Sequence, residues 1–313
     1  MTRRANIAIW LLAIAALVLS GCSSSESTST DTSTSAVAGL PVTVDSLTGG
    51  TVKVTDVSKI VPLNGDVAEI VFALGLGDKV AAVDISATFP EAANLPKIGY
   101  QRTLNAEGVI ALAPTVVLGT EEAGPPAAVE QIAAAGIPTV KIPRGETVDD
   151  VPGRIEAVAK ALGVDGSELA NKTREQIDAA KSRAAKENTK PRVAFLYLRG
   201  QNGVYQIGGA GSRADAMITA AGGVDAGTEA GIQGFQPMTA EALVAANPDV
   251  ILVLTAGLES VGGVDGLLSQ PGVAQTKAGA ERKIVAIDDL LLLGLGPRTG
   301  EALDQLITGI HGN

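Results

Sequence analysis

Cysteine, histidine and aromatic side chains are all scarce in this chain of 313 residues. The single cysteine, Cys22, has no partner for an intrachain disulfide. The single histidine, His311, stands third from the C-terminal end, where a frayed tail residue is expected. No histidine is left to act as a general base inside a fold, no G-x-S-x-G elbow occurs, and no cluster has metal-ligand spacing. These absences argue against nucleophilic and metal-dependent catalysis, and no enzyme is expected. Basic charge is short as well: 24 Lys and Arg face 34 Asp and Glu, a net charge of −10. A nucleic-acid partner, which needs a basic stripe, is not expected. After Cys22 no apolar run reaches the roughly 20 residues of a spanning helix.

What is present begins with an address. Arg3 and Arg4 precede an apolar run from Ile7 to Leu19, closed by Leu19-Ser20-Gly21-Cys22. A basic start, an apolar middle and small residues at the cut describe a secretory signal too short to span a membrane. Cys22 falls where the lipobox of bacterial lipoproteins places its lipidated cysteine, which expects the chain to be tethered outside the cytoplasmic membrane. Residues 1–21 are thus read as signal peptide and 22–48 as a lipidated cysteine with its linker. Ser23 to Ala36 is almost purely Ser and Thr, a solvated leash with nothing to bury. Cleavage removes Arg3 and Arg4 and no acid, so 22 basic residues remain against 34 acidic ones and the charge becomes −12. The folded part is expected from Gly49, about 265 residues, a length that favours two lobes over one core.

A weak internal repeat supports two halves. Asn105-Ala106-Glu107 leads through a short helix to Pro114 and the apolar run Thr115–Leu118; Thr239-Ala240-Glu241 leads likewise to Pro248 and Asp249–Leu252. Asn105 and Thr239 are suited to cap free helix N–H groups. Each helix must end before its proline, and each run suits a buried parallel strand. Upstream of the caps lie Gly99-Tyr100-Gln101 and Gly234-Phe235-Gln236, so each half carries an aromatic on the loop entering its helix.

Elsewhere short apolar runs alternate with helical stretches, the pattern of an α/β sheet with crossover connections. Strands are expected at Ile60–Pro62, Val80–Val83, Thr139–Ile142, Arg192–Leu198, Val204–Ile207, Val250–Leu254 and Lys283–Ile287. Helices are expected at Asp66–Leu74, Val129–Ala135, Met217–Ala221, Ala240–Ala246 and Glu301–Ile310. Between the halves, residues 165–188 are polar and Ala-rich and read as one stiff helix of about 20 residues. The resulting boundaries are an N-terminal α/β lobe over 49–164, a linking helix over 165–190 and a C-terminal α/β lobe over 191–313. Lobes joined this way would rock slightly and not close like a hinge.

Four segments carry a family resemblance: Ile98–Gly108 (IGYQRTLNAEG), Ala123-Gly124-Pro125-Pro126, Ala214–Ile218 with Ala221-Gly222-Gly223, and Gly294–Thr299 (GLGPRT). With the lipobox ahead of them, they resemble the helix-linked (class III) substrate-binding proteins of ABC importers for cobalamin, ferric siderophores and haem. Within that class the chain resembles the haemin-binding lipoprotein family, from Val57 to the C-terminus. The resemblance implies a monomer with two α/β lobes and a ligand cleft between them. It implies haem as cargo and not as a catalytic cofactor, delivered to a permease dimer at the extracytoplasmic face. A ferric siderophore or a corrinoid is the alternative cargo.

The same resemblance suggests site residues. Tyr100 is either an axial phenolate for ferric iron or a half-buried loop aromatic. Arg102 would support the phenolate or pair with a propionate. Phe235 cannot coordinate, and would form the opposing wall of the slot. Met238 is either a weak sixth ligand or a gap-filling core residue. Arg213, behind the glycine-rich lip Gly208–Ser212, could hold a propionate; Arg298 either faces a ligand carboxylate or lies on the surface. Glu69 and Asp215 are read either as surface acids that dock on permease arginines or as acids that complement helix dipoles. A histidine ligand is not expected, because the loop before Gly124 reads Glu121-Glu122-Ala123.

Overall fold

The computed structural model describes residues 39–312; the signal segment, Cys22 and the Ser/Thr leash lie outside the described residues. Regular structure begins before Gly49, with an antiparallel hairpin of β1 (Val42–Asp45) and β2 (Thr51–Val54). The hairpin folds there because Val42, Val44 and Val52 alternate along one face and pack on the main core. Its turn also pairs with the first lobe, where the Leu47 N–H donates to the Thr139 carbonyl at 3.0 Å.

The first lobe is a three-stranded parallel sheet in the order β3 (Ile60–Pro62), β4 (Val116–Gly119), β5 (Thr139–Lys141). Its helices are α1 (Gly65–Ala73), α2 (Ala106–Ala111), α3 (Pro126–Ala134) and α4 (Val151–Ala161). Ile60, Val61 and Val116–Leu118 are fully buried, as continuous apolar strands covered on both faces should be. The expected strand at Val80–Val83 does not form: Val80 bridges only to Ile60 and Val83 only to Lys97. An apolar run that short does not fix its own structure. Sequence reading did not single out α4, whose Pro152 lies in its first turn, where a missing N–H costs nothing.

The linking helix, α5 (Ser167–Ala184), has 18 residues and is about 27 Å long. The second lobe then holds β6 (Arg192–Arg199), β7 (Val204–Gly208), α6 (Ala214–Ala220), β8 (Val224–Asp225), α7 (Ala226–Glu229) and β9 (Phe235–Pro237). It continues through α8 (Ala240–Ala246), β10 (Val250–Leu254), α9 (Thr255–Ser260), α10 (Gly263–Leu268) and α11 (Lys277–Ala280). The chain closes with β11 (Ile284–Ile287), α12 (Asp289–Leu293) and α13 (Thr299–His311). This sheet is mixed: β10 runs parallel to β6 and β11, and β8 lies parallel beside β6, whereas β7 is antiparallel to β6 and to β9.

The internal repeat is real in structure. Asn105 Oδ1 accepts from the Gly108 N–H and Thr239 Oγ1 from the Ala242 N–H, both at 3.2 Å. Each capped helix stops ahead of its proline and leads into a buried central strand, β4 or β10.

The polar sequence of α5 hides a narrow buried stripe of Ala170, Thr173, Ile177, Ala180 and Ala184. Through it α5 packs on α4 of the first lobe and on α13 of the second. Gly300 allows the close approach of α13: a methyl group there would sit 2.7 Å from Gln176 Cβ. One continuous core therefore runs beneath both lobes, from Ile60 and Val71 through Ile177 to Phe195 and Leu306. A shared core of this kind resists wide hinge opening.

Candidate functional site

The Tyr100 loop is held rigidly from behind while its ring projects. Gly99 has φ of +90°, a conformation that favours glycine, and its carbonyl accepts from the Ile85 N–H at 3.0 Å. The Gln101 N–H donates to Asp84 Oδ2 at 2.8 Å, and the Gln101 carbonyl accepts from the Gly124 N–H at 2.8 Å. Asn64 Nδ2 bonds the Gln101 side chain and also Thr120 Oγ1 at 3.2 Å. Asp84 is fully buried, and burial pushes its carboxyl up, against the hydrogen bonds from Ser86 and Gln101. Tyr100 nonetheless remains 41% exposed and Ile85 54% exposed. An apolar pair left open on a rigid loop is a surface prepared for contact.

The second lobe answers with a ladder on one face of β6. Phe195, Tyr197 and Arg199 share that face by the two-residue period of a strand. Phe195 is buried and Tyr197 half-buried; the Arg199 guanidinium lies over the Tyr197 ring, 4.6 Å from its centre. Phe235, on β9 and 39% exposed, packs edge-on to Phe195 at 6.1 Å and to Tyr197 at 5.4 Å. Arg199 is anchored in turn by Asp289 at 2.5 Å.

Tyr100 and Tyr197 come close enough to influence each other through space. Burial pushes the Tyr100 phenol up from its ordinary value; Arg102 pulls it down, while Tyr197, Glu122 and Asp84 add to the rise. Tyr197 of the second lobe thus acts on the Tyr100 phenol of the first, and Phe235 packs beside Tyr197. Sequence reading singled out Tyr100 and Phe235 but not Tyr197 and Arg199. The alternation Phe195-x-Tyr197-x-Arg199 is visible in the sequence, and its last two members are half-buried where Val193–Leu196 and Leu198 are buried.

Other expected site residues are placed differently. Arg213 does not face a ligand: it is 9% exposed, donating from Nη1 to the Leu293 carbonyl at 2.9 Å and from Nη2 to the Arg144 carbonyl at 2.7 Å. It stands 3.5 Å from Asp66, which also takes Nη2 of the buried Arg154 at 2.6 Å. Burial acts to raise the Asp66 carboxyl, but the Arg154 and Arg213 guanidiniums outweigh it and hold the carboxyl below its usual range. Arg154 reaches across to the Gly294 and Leu295 carbonyls at 3.0 and 2.5 Å. Asp66, Arg154 and Arg213 therefore form a buried ionic tie between the lobes.

Glu69 belongs to the same seam and is not the surface acid expected of a docking residue. It is 7% exposed and ion-paired with Arg298, so that Arg298 is also committed and not free for a ligand. Burial raises the Glu69 carboxyl and Arg298 opposes the rise. Asp215 is part-buried at the start of α6, where Oδ2 accepts from the Gly211 N–H at 2.9 Å. The helix-dipole role fits Asp215, in the first turn of α6, whereas Glu69 lies beyond the first turn of α1 and is held by Arg298. Met238 packs against the second-lobe core, as a gap-filling methionine would.

The Gly208–Ser212 segment is no free lip, being laced to residues 232–234 by Ala210 N–H to Ile232 O and Gly234 N–H to Ala210 O bonds of 2.9 and 2.8 Å. His311 is not frayed either. Its Nε2 lies 3.0 Å from the Ala221 carbonyl, and Nδ1 lies 3.3 Å from Thr189 Oγ1, which ties the last turn of α13 to the second lobe. A concavity of about 800 Å³ lies away from the Tyr100 loop, lined by residues of α5, α6 and the 146–149 turn, and includes neither tyrosine.

Comparison with known proteins adds a family context. A sequence profile described as "Periplasmic binding protein" matches residues 60–291. The chain is 27% identical over 318 residues to an uncharacterized ABC transporter substrate-binding lipoprotein, YvrC, of Bacillus subtilis (strain 168), covering 99% of this chain and 98% of that one. It is 29% identical over 173 residues to the vitamin B12-binding protein of Vibrio parahaemolyticus, covering 54% of this chain and 60% of that protein. The structure of the periplasmic heme-binding protein RhuT from Roseiflexus sp. RS-1, in apo form, matches with a TM-score of 0.80 at 50% identity, over 82% of this chain and 99% of that one.

Proposed function

The chain belongs to the periplasmic binding protein family, as a substrate-binding component of an ABC transporter and not an enzyme, and from that premise we propose that its cargo is haem. The observation that supports this reading is the Tyr100 phenol, 41% exposed on a loop held from behind, with Arg102 beside it and Tyr197 of the other lobe acting on it through space. A phenolate is a hard anionic donor suited to ferric iron. Tyr100 has the better claim to the iron, because Arg102 is two residues away and favours its anion. Tyr197 then stands across the ligand, and Phe235 and Ile85 offer apolar contact to a flat macrocycle. Arg213 and Arg298 have no part in holding it, since both are committed to the inter-lobe seam.

Haem is favoured over a corrinoid on two grounds. The haem-binding relative matches at 50% identity over 99% of its length, whereas the vitamin B12-binding relative matches over 60%. A corrinoid also needs no phenolate, and would leave the exposed Tyr100 without a use. An absorbance titration of residues 39–313 with hemin should give a saturable, one-to-one change with a ferric tyrosinate band. A titration without saturation would refute haem as cargo and point to ferric siderophores and corrinoids in the same assay.

We also propose that Cys22 carries lipid and tethers the protein at the extracytoplasmic face, beside the permease that receives the cargo. Cys22→Ala should move the protein from the membrane fraction to the soluble fraction of the producing cells. Retention in the membrane fraction would show another anchor.

A further inference from the structure

Glu122 is a charged residue at the mouth of the site that the haem reading alone does not use. It lies on the turn before Gly124, with its side chain 19% exposed. Its Oε1 is 2.5 Å from Arg102 Nη2 and 3.5 Å from Arg144 Nε, and its Oε2 is 3.5 Å from Gln101 Nε2. Arg102 is 55% exposed and Arg144 24% exposed, whereas the other guanidiniums near the seam are committed: Arg199 to Asp289, Arg298 to Glu69, and Arg213 inside the protein. Arg102 and Arg144 thus meet at one carboxylate supplied by the protein, and Arg144 has a second partner in Glu146 Oε1, 3.0 Å from its Nη1.

That arrangement has a cost for ligand binding. The Glu122 charge opposes the help that Arg102 gives to the Tyr100 phenolate. An exposed Arg–Glu pair is also weak, and a second carboxylate of good geometry can replace it. Arg144 holds its place independently: its carbonyl accepts from Arg213 at 2.7 Å, and its Nη2 lies 3.5 Å from the Gly211 carbonyl of the second lobe. Glu122 can thus give up Arg102 and still have Arg144 beside it.

We infer that Glu122 is a stand-in for a ligand carboxylate: it keeps Arg102 paired in the empty site and surrenders it to a carboxylate on the incoming ligand. Glu122 is accordingly a specificity-determining residue, and its rival is a propionate-type group on the macrocycle edge. A ligand without a free carboxylate leaves the Arg102–Glu122 pair intact and gains nothing from it. The inference rests on the haem reading and deepens it.

The test compares hemin with hemin dimethyl ester, in which both propionates are blocked, on wild type and on Glu122→Gln. Removal of the rival charge should tighten free hemin roughly three- to fivefold relative to the ester, the span of an exposed ion pair, any gain through the Tyr100 phenolate being common to both ligands. The ratio of the two dissociation constants is the readout, because a merely structural effect of the substitution would move both ligands alike. Arg102→Ala, an exposed change that endangers the fold little, should abolish the preference for the free acid, and adding Glu122→Gln to it should change nothing further. Wild type that binds hemin, with a ratio unmoved by Glu122→Gln or by Arg102→Ala, overturns the inference and leaves the haem reading intact. Wild type that fails to bind hemin refutes that reading and this inference with it.

Discussion

Arg154→Met is expected to destabilise the protein by about 3–5 kcal/mol, seen as a fall in Tm of about 5–10 °C. Arg154 is 1% exposed and uses its whole head group: Nη2 on Asp66, Nη1 on two carbonyls of the second lobe, and Nε on the Pro143 carbonyl at 2.9 Å. Methionine can fill the space of the stem, but it leaves Asp66 with Arg213 alone at 3.5 Å and three carbonyls without this donor. Leaving a buried charge short of its partner costs more than the pair itself is worth.

The same geometry fixes the pH dependence. The folded-state carboxyl of Asp66 is held below its usual range, so its contribution is complete above the ordinary carboxylate pKa of about 4. That contribution is lost as pH falls through the lowered folded value. In the variant, burial is opposed by only one guanidinium, and Asp66 takes up its proton at higher pH. The gap in Tm between wild type and variant should be widest near pH 7 and narrow on acidification below about pH 4. A gap that is small at pH 7, or that widens in acid, would mean that Asp66 and Arg154 do not form a stabilising tie.

This tie also shows where sequence reading reached its limit. The helix caps at Asn105 and Thr239, the prolines after them and the strands they precede could all be read, because each is decided within a few residues. The linking helix was legible from its polar, Ala-rich run, although its ends frayed inward to Ser167 and Ala184. Arg213 and Arg298 were legible only as charged residues in suggestive loops. Their partners, Asp66 and Glu69, lie more than a hundred residues away, and no local pattern says that a guanidinium is already taken. Tyr197 was passed over for the opposite reason: its strand was legible, but no local pattern marks which of its residues stay half-buried. Tyr100 could be singled out because a glycine, an aromatic and an arginine stand within four residues of one another.

Tyr100→Phe should remove the ferric tyrosinate band and weaken hemin binding by about 100-fold or more. The scale follows from metal sites in which loss of an outer-shell partner alone costs 10–100-fold, so loss of the donor itself should exceed it. The ring stays in place in this variant, since the loop is held by Asp84, Asn64 and Gly124 and not by the phenol. Stacking and propionate contacts therefore survive, and the change isolates the oxygen. A proton count sharpens the test. Burial keeps the free phenol above its ordinary pKa, so it is protonated at neutral pH and must ionise when iron binds. Wild type should release one proton per hemin bound at Tyr100, with affinity that rises with pH, and Tyr100→Phe should not. If the band and the proton both persist in Tyr100→Phe but vanish in Tyr197→Phe, the second lobe supplies the iron ligand and Tyr100 serves as a wall. If neither substitution alters the spectrum, no phenolate reaches the iron, and the exposed Tyr100 ring contributes only apolar contact.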